Sequence, residues 1–155
     1  MDLSHKPHVL YLASIERMHA ARRCIDQKPL DYVLAAYLAG LAVECILHAI
    51  AFRDGATHDA WHGLSSWLAK CPPSLHDAIK PAAVEDWNRV LVLWDNRLRY
   101  LSVDGFIGYL RDRGFTRGLK GDRDSLMRRN VKLLVDAAER VHQKGLAQWH
   151  RSTKK

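Results

Sequence analysis

Apolar residues recur along the chain at intervals of three and four, and no stretch sustains the alternation of a half-buried strand. The pattern predicts helices almost throughout. A first helix is expected over His8–Gln27, with Leu12, Ile15, Met18, His19, Arg22 and Ile25 near one face. Leu30–Phe52 is almost unbroken apolar, LDYVLAAYLAGLAVECILHAIAF, and predicts a second helix buried on every side. Pro29 suits the start of that helix, Asp31 its first turn and Gly55 its end. Thr57 or Asp59 can cap a third helix running to about Lys70, stopped by Pro72 and Pro73. A short helical turn SLHDAIK follows, closed by Pro81.

The segment AAVEDWNRVLVLWDNRLRYL (82–101) predicts a fourth long helix, with Trp87, Val90, Leu91, Trp94 and Leu98 on one stripe. Ser102 can cap a shorter helix, VDGFIGYLRDR, and the glycine-rich GFTRGLKGD forms a loop. A last helix is expected from Asp122 to about Trp149, turning Leu126, Leu133, Leu134, Ala137, Ala138 and Val141 inward. The predicted architecture is all-α, an antiparallel up-and-down bundle of five to six helices in one domain over residues 1–150, with 151–155 as a basic tail.

The Leu30–Phe52 run is long enough to cross a bilayer. Asp31, Glu44 and His48 within it, and its many alanines, favour a core helix instead, so no membrane association is expected. The opening MDLSHKPHVL lacks the pattern of a secretory leader. Cys24, Cys45 and Cys71 are odd in number and form no CxxC pair, which suits buried thiols in a reducing cytoplasm.

Charge is placed unevenly. Residues 1–110 hold 11 Lys and Arg against 12 Asp and Glu, whereas residues 111–155 hold 13 against 5. The whole net charge of +7 therefore belongs to the C-terminal end. Arg111, Arg113, Arg117, Lys120, Arg123, Arg128, Arg129 and Lys132 line a loop and the start of a helix, a candidate RNA- or DNA-binding stretch with Phe115 available to stack on a base. A solvated basic helix face accounts for the same charges. Pairing with Asp112, Asp122 and Asp124 would weaken the nucleic-acid reading.

Walker, GxGxxG, HExxH and GxSxG motifs are missing, which removes the common enzyme templates. His58 and His62 stand four apart beside Asp59, as two metal ligands on one helix face would. Flanking the start of a solvent-facing helix accounts for them more simply, and no metal or cofactor is expected. Glu44 and His48 are also four apart, on one face of the central helix. A carboxylate among so many apolar residues needs a partner, and Arg97 or Arg99 in WDNRLRYLS is predicted to supply it, because a guanidinium can bond both oxygens. A structural role for that pair is favoured over an acid–base one.

The phrase DYVLAAYLAGLAVECILHAI, the His62–Leu64 step and WDNRLRYLS, together with Ala21–Arg23 and Tyr32, resemble a HEPN (higher eukaryote and prokaryote nucleotide-binding) domain over roughly Leu10–Ser102. The resemblance implies a helical bundle, usually dimeric, whose members serve in toxin–antitoxin, phage-defence or RNA-processing systems. Its active branch resembles metal-independent ribonucleases with an Arg-x(4–6)-His motif completed across a dimer. Other members are inert partners of a nucleotidyltransferase, or binding modules. Here the spacing occurs at Arg53–His58, whereas the family places it on a late helix, where Arg97–Tyr100 stands and where SVDGF (102–106) supplies no histidine. Arg99-Tyr100 is similar to the Arg-Tyr step of the non-catalytic branch, where it could hold a phosphate or nucleotide.

The expectation is a cytoplasmic homodimer acting as a nucleic-acid- or nucleotide-associated accessory protein, with a nucleotidyltransferase or antitoxin as a possible partner. Two alternatives stay open. One is a ribonuclease using Arg53 and His58, or Arg97 or Arg99 with His48 or His62. The other is a structural protein–protein interaction module.

Overall fold

The computed structural model describes residues 6–57, 63–79, 84–117 and 120–152. Among these, seven α-helices and one 3-10 turn occur, and no strand: α1 (Pro7–Asp26), α2 (Tyr32–Arg53), α3 (Leu64–Ala69), α4 (Pro73–Ile79), α5 (Val84–Leu93), the 3-10 turn (Asn96–Tyr100), α6 (Val103–Asp112) and α7 (Arg123–Ser152).

The apolar run after Leu30 forms α2, the hub of the molecule. Its buried side is rich in small residues, Ala35, Ala36, Ala39, Gly40, Ala42 and Ala49 among them, so neighbouring helices approach closely. Val43, Ile46, Leu47 and Ile50 fill the remaining volume. This helix is long and apolar enough to cross a membrane by length and composition, and 61% of its most apolar window is buried against the rest of the protein. Gly55 follows its end at φ +92°, a conformation in which glycine carries no steric cost. The start differs from expectation. Pro29 lies outside α2, and Asp31 is its N-cap, accepting from the Leu34 N–H at 2.9 Å.

The three long helices lock together through polar pairs whose order along the chain gives their directions. Arg22 of α1 meets Asp136 at 2.7 Å and also Glu139, Ser14 meets His142 at 3.0 Å, and Tyr11 stacks on Trp149 at 4.9 Å. Helices α1 and α7 are therefore antiparallel. Arg53 at the end of α2 reaches Trp149, and a Cβ on Gly145 would lie 2.7 Å from the Ile46 side chain, so α2 and α7 run parallel. The Asp86 carboxylate of α5 takes two 2.7 Å bonds from Arg140, and Ser74 of α4 donates to Gln148 at 2.9 Å. Helix α7 thus braces both the α1–α2 pair and the shorter helices.

Two predicted faces are rotated. In α1 the buried positions are Ser14, Met18 and Ala21, whereas Leu12 is 45% exposed and His19 faces solvent. In α7, Leu134, Ala137, Ala138 and Val141 are buried as expected, but Leu133 is 37% exposed and Met127, Val131 and Val135 carry the inward stripe. The third helix begins at Leu64 behind Gly63 rather than at Thr57, and Asp59 lies outside the described residues.

The largest departure concerns residues 82–101. Helix α5 stops at Leu93, Asp95 adopts an extended backbone, and a 3-10 turn follows. The cause is a set of competing partners for the last carbonyls of α5, which have no partner within the helix. The Arg113 Nε donates to the Val92 carbonyl and the Tyr109 hydroxyl to the Leu93 carbonyl, both at 3.1 Å and both from the α6 region. The Asp95 carboxylate then caps the turn by accepting from the Arg97 N–H at 2.8 Å. Ser102 caps α6 as its sequence position implies, its hydroxyl accepting from the Gly105 N–H at 3.2 Å.

Candidate functional site

Breaking the helix at Leu93 folds the chain back across α2 and opens a cleft of about 830 Å³ between α2, α3, α5 and the 3-10 turn. That volume is within the usual range for small-molecule sites. Glu44 and His48 come from α2, Trp67 from α3, Leu91 and Trp94 from the end of α5 and beyond, and Asp95, Asn96, Arg97, Arg99 and Tyr100 from the turn. The sequence reading therefore brought Glu44, His48, Arg97, Arg99 and Tyr100 to one place, as the structure does.

Gly40, Glu44 and His48 follow one another at four-residue steps along the face of α2 that meets this cleft. The Trp94 indole lies directly on Gly40: a Cβ there would fall 1.9 Å from the ring. Its Nε1–H donates to the Tyr37 carbonyl at 3.1 Å, so the ring is fixed in position and in plane. One turn on, Glu44 keeps 24% of its side chain exposed and stands 3.7 Å from His48 Nε2. Burial pushes the Glu44 carboxyl above the usual carboxylate range, and the positive charge of Arg99 opposes part of that rise. The His48 ring packs against Trp67 at 3.8 Å, with the Phe52 ring edge-on at 5.8 Å.

The predicted Glu44–arginine ion pair does not form. Arg97 turns away and grips Asp95 with both ends of its guanidinium, at 2.6 Å and 3.0 Å, because the 3-10 turn sets those two residues on the same side. That bond holds the Asp95 carboxyl below its ordinary value. Arg113 also approaches Asp95, at 4.0 Å, and its guanidinium stacks on Tyr109 at 3.6 Å. Arg99 acts on Glu44 only through space. Its guanidinium lies over the Tyr100 ring at 4.6 Å and makes no ion pair among the described residues. Tyr100 is 74% exposed, leaving its other face open.

Arg53 belongs elsewhere. It donates to the Trp149 carbonyl at 2.8 Å, stacks over the Trp149 ring at 4.3 Å and approaches Asp54 at 3.6 Å. The guanidinium is thus committed to joining the ends of α2 and α7, outside the cleft. His58 and His62, the other parts of the spaced Arg–His and His–His readings, lie outside the described residues.

The basic C-terminal stretch divides in two. Arg113 is engaged as described, Arg123 pairs with Asp104, and Lys132 lies 3.6 Å from Asp136. Arg111, Arg117, Lys120, Arg128 and Arg129 are exposed and make no ion pair among the described residues. Of the acids nearest in sequence, Asp122 caps α7 by accepting from the Ser125 N–H at 2.8 Å.

Sequence reasoning passed over Trp67 as a wall of the cleft, and placed Trp94 on a helix stripe rather than across α2. The one usable signal was Gly40, a glycine inside a largely apolar helix, which marks the close approach of another group. Set beside known families, curated proteins and solved structures, the chain matches none of them.

Proposed function

We propose that the protein is a nucleotide- or single-stranded-RNA-binding module that uses the cleft between α2 and the 3-10 turn. The observation that carries this reading is the Arg99–Tyr100 step at the mouth of a half-buried cleft: a guanidinium without an ion pair among the described residues, beside an open aromatic face. Phosphate is recognised by such a cation, and a base stacks on such a ring. The exposed Arg111, Arg117, Lys120, Arg128 and Arg129 supply a second, sequence-independent attraction for a longer strand.

Within this proposal the chain is an HEPN-like helical bundle of up-and-down type, cytoplasmic and homodimeric. It acts as an accessory to a nucleotidyltransferase or an antitoxin in a toxin–antitoxin or defence system. The resemblance carried by α2 and WDNRLRYLS supports that family placement.

Titration calorimetry with nucleoside monophosphates and a mixed-sequence RNA octamer tests the binding. Arg99→Ala should weaken binding of both ligands, and Tyr100→Ala that of the octamer, whose further bases can stack there, by roughly 5- to 100-fold. Unchanged affinity in both variants would remove the cleft from the function.

A second reading, a metal-independent ribonuclease, is favoured by one observation: His48 shares the cleft with Arg97 and Arg99. A histidine near a cation can move a proton while the cation steadies the phosphorane. Cleavage of single-stranded RNA that survives Arg53→Ala but not His48→Ala or Arg99→Ala would establish it.

A further inference from the structure

Glu44 and His48 of α2 supply polar groups to the lining of the cleft. Glu44 accepts no hydrogen bond among the described residues, and its single ion-pair neighbour is His48 at 3.7 Å. A carboxylate largely withdrawn from water that bonds no protein donor is available to a ligand that meets both oxygens. Trp94 fixes how a planar ligand would lie. The indole rests on Gly40, and Glu44 is one turn further along the same face of α2, about 6 Å along the axis. A base stacked on the indole would lie within one helical turn of the carboxylate.

The Watson–Crick edges of the four bases differ in what they offer there. Adenine presents the N1 lone pair beside its N6 amino group, and a carboxylate repels that lone pair. Cytosine likewise places N3 beside its amino group. Uracil has one N–H between two carbonyl oxygens. Only guanine presents two adjacent donors, N1–H and the N2 amino group, spaced to reach both oxygens of one carboxylate. Arg99, without an ion pair of its own, stands at the mouth where the phosphate of that nucleotide would emerge.

We propose that the cleft selects guanine nucleotides: Glu44 accepts from N1–H and the N2 amino group, Trp94 stacks on the purine, and Arg99 holds the phosphate. This rests on the nucleotide-binding reading above and adds the identity of the base. Bidentate base contacts discriminate by about 1–3 kcal/mol, which corresponds to roughly 5- to 150-fold in affinity.

Titration calorimetry of the full chain with GMP, IMP, AMP and UMP decides the matter. GMP should bind tightest. IMP, which keeps N1–H but lacks the amino group, should be roughly tenfold weaker, and AMP and UMP weaker still. In Glu44→Gln the preference for GMP over AMP should collapse, because an amide can bond the adenine edge as well. Equal binding of GMP and AMP to the wild type overturns guanine selection and leaves nucleotide binding standing. No binding of any of the four overturns both. Should Glu44→Gln fail to fold, as circular dichroism would reveal, the order of GMP, IMP and AMP on the wild type still decides.

Discussion

Replacing Gly40 with alanine perturbs the contact on which the cleft is built. A Cβ at this position would lie 1.9 Å from Trp94 Cδ1 and 2.0 Å from Cγ, so the indole must leave its seat as a whole rather than flex at its tip. Overpacking of this kind costs about 1–3 kcal/mol. Loss of the Nε1–H bond to the Tyr37 carbonyl adds about 1 kcal/mol, and the better helix propensity of alanine offsets about as much. The net expectation is a loss of about 1–3 kcal/mol, or several degrees in Tm for a chain of 155 residues. Urea denaturation followed by circular dichroism and by tryptophan emission reads both consequences, the lower midpoint and an indole newly exposed to water. Nucleotide affinity should fall in the same variant, since a wall of the cleft has moved. A Gly40→Ala protein as stable as the wild type, with unchanged emission, would refute the packing described for Trp94.

His142 gives the stability a pH dependence. The Ser14 hydroxyl donates to the Tyr11 carbonyl, so it accepts from His142 Nε2–H, and Nδ1 is left buried without a partner. Burial lowers the His142 pKa from 6.5 to about 4, with Glu139 opposing and His19 adding to the shift. The folded state thus disfavours the proton: its full stability is present above pH 6.5 and is lost as pH falls towards 4, by about 3 kcal/mol in all. His142→Leu should flatten denaturation midpoints across that window. Arg53→Ala removes a hydrogen bond and a cation–π contact at Trp149, which should lower stability by about 1–3 kcal/mol and leave nucleotide affinity in the cleft unchanged; calorimetric melting and titration separate the two. Joint replacement of Arg117, Arg128 and Arg129 by glutamine should cut retention on single-stranded RNA and reduce the slope of log affinity against log salt by about 2, while GMP binding persists.

How much of this the chain disclosed depends on the range of the interaction. The burial of α2 was legible because Glu44 and His48 are the only interruptions in a run of apolar and small residues from Tyr32 to Phe52. The Ser102 cap was legible because a cap acts within three residues of itself. Glu44, His48, Arg99 and Tyr100 line one cleft, but without the ion pair that was the reason for grouping them. The end of α5 at Leu93 was hidden, because Arg113 and Tyr109, which satisfy its last carbonyls, come from another element. The same break diverted Arg97 from Glu44 to Asp95, two residues away. Leu12 and Leu133 were assigned inward by periodicity alone, whereas Ser14 and His142 face the core because each satisfies the other, a pairing over 128 residues that no local pattern carries.

Helix α7 lines none of the cleft, yet α4 and α5 reach the rest of the protein largely through it, by Ser74–Gln148 and Asp86–Arg140. The segment that carries Trp94 and Arg99 is therefore held from two sides, by α2 at Gly40 and Tyr37 and, through α5, by α7. Amide hydrogen exchange in the 3-10 turn should then rise when either support is removed. A chain shortened before Arg140 would keep the α2 wall of the cleft and lose the brace behind the opposite wall, so the C-terminal helix sets ligand affinity without touching the ligand.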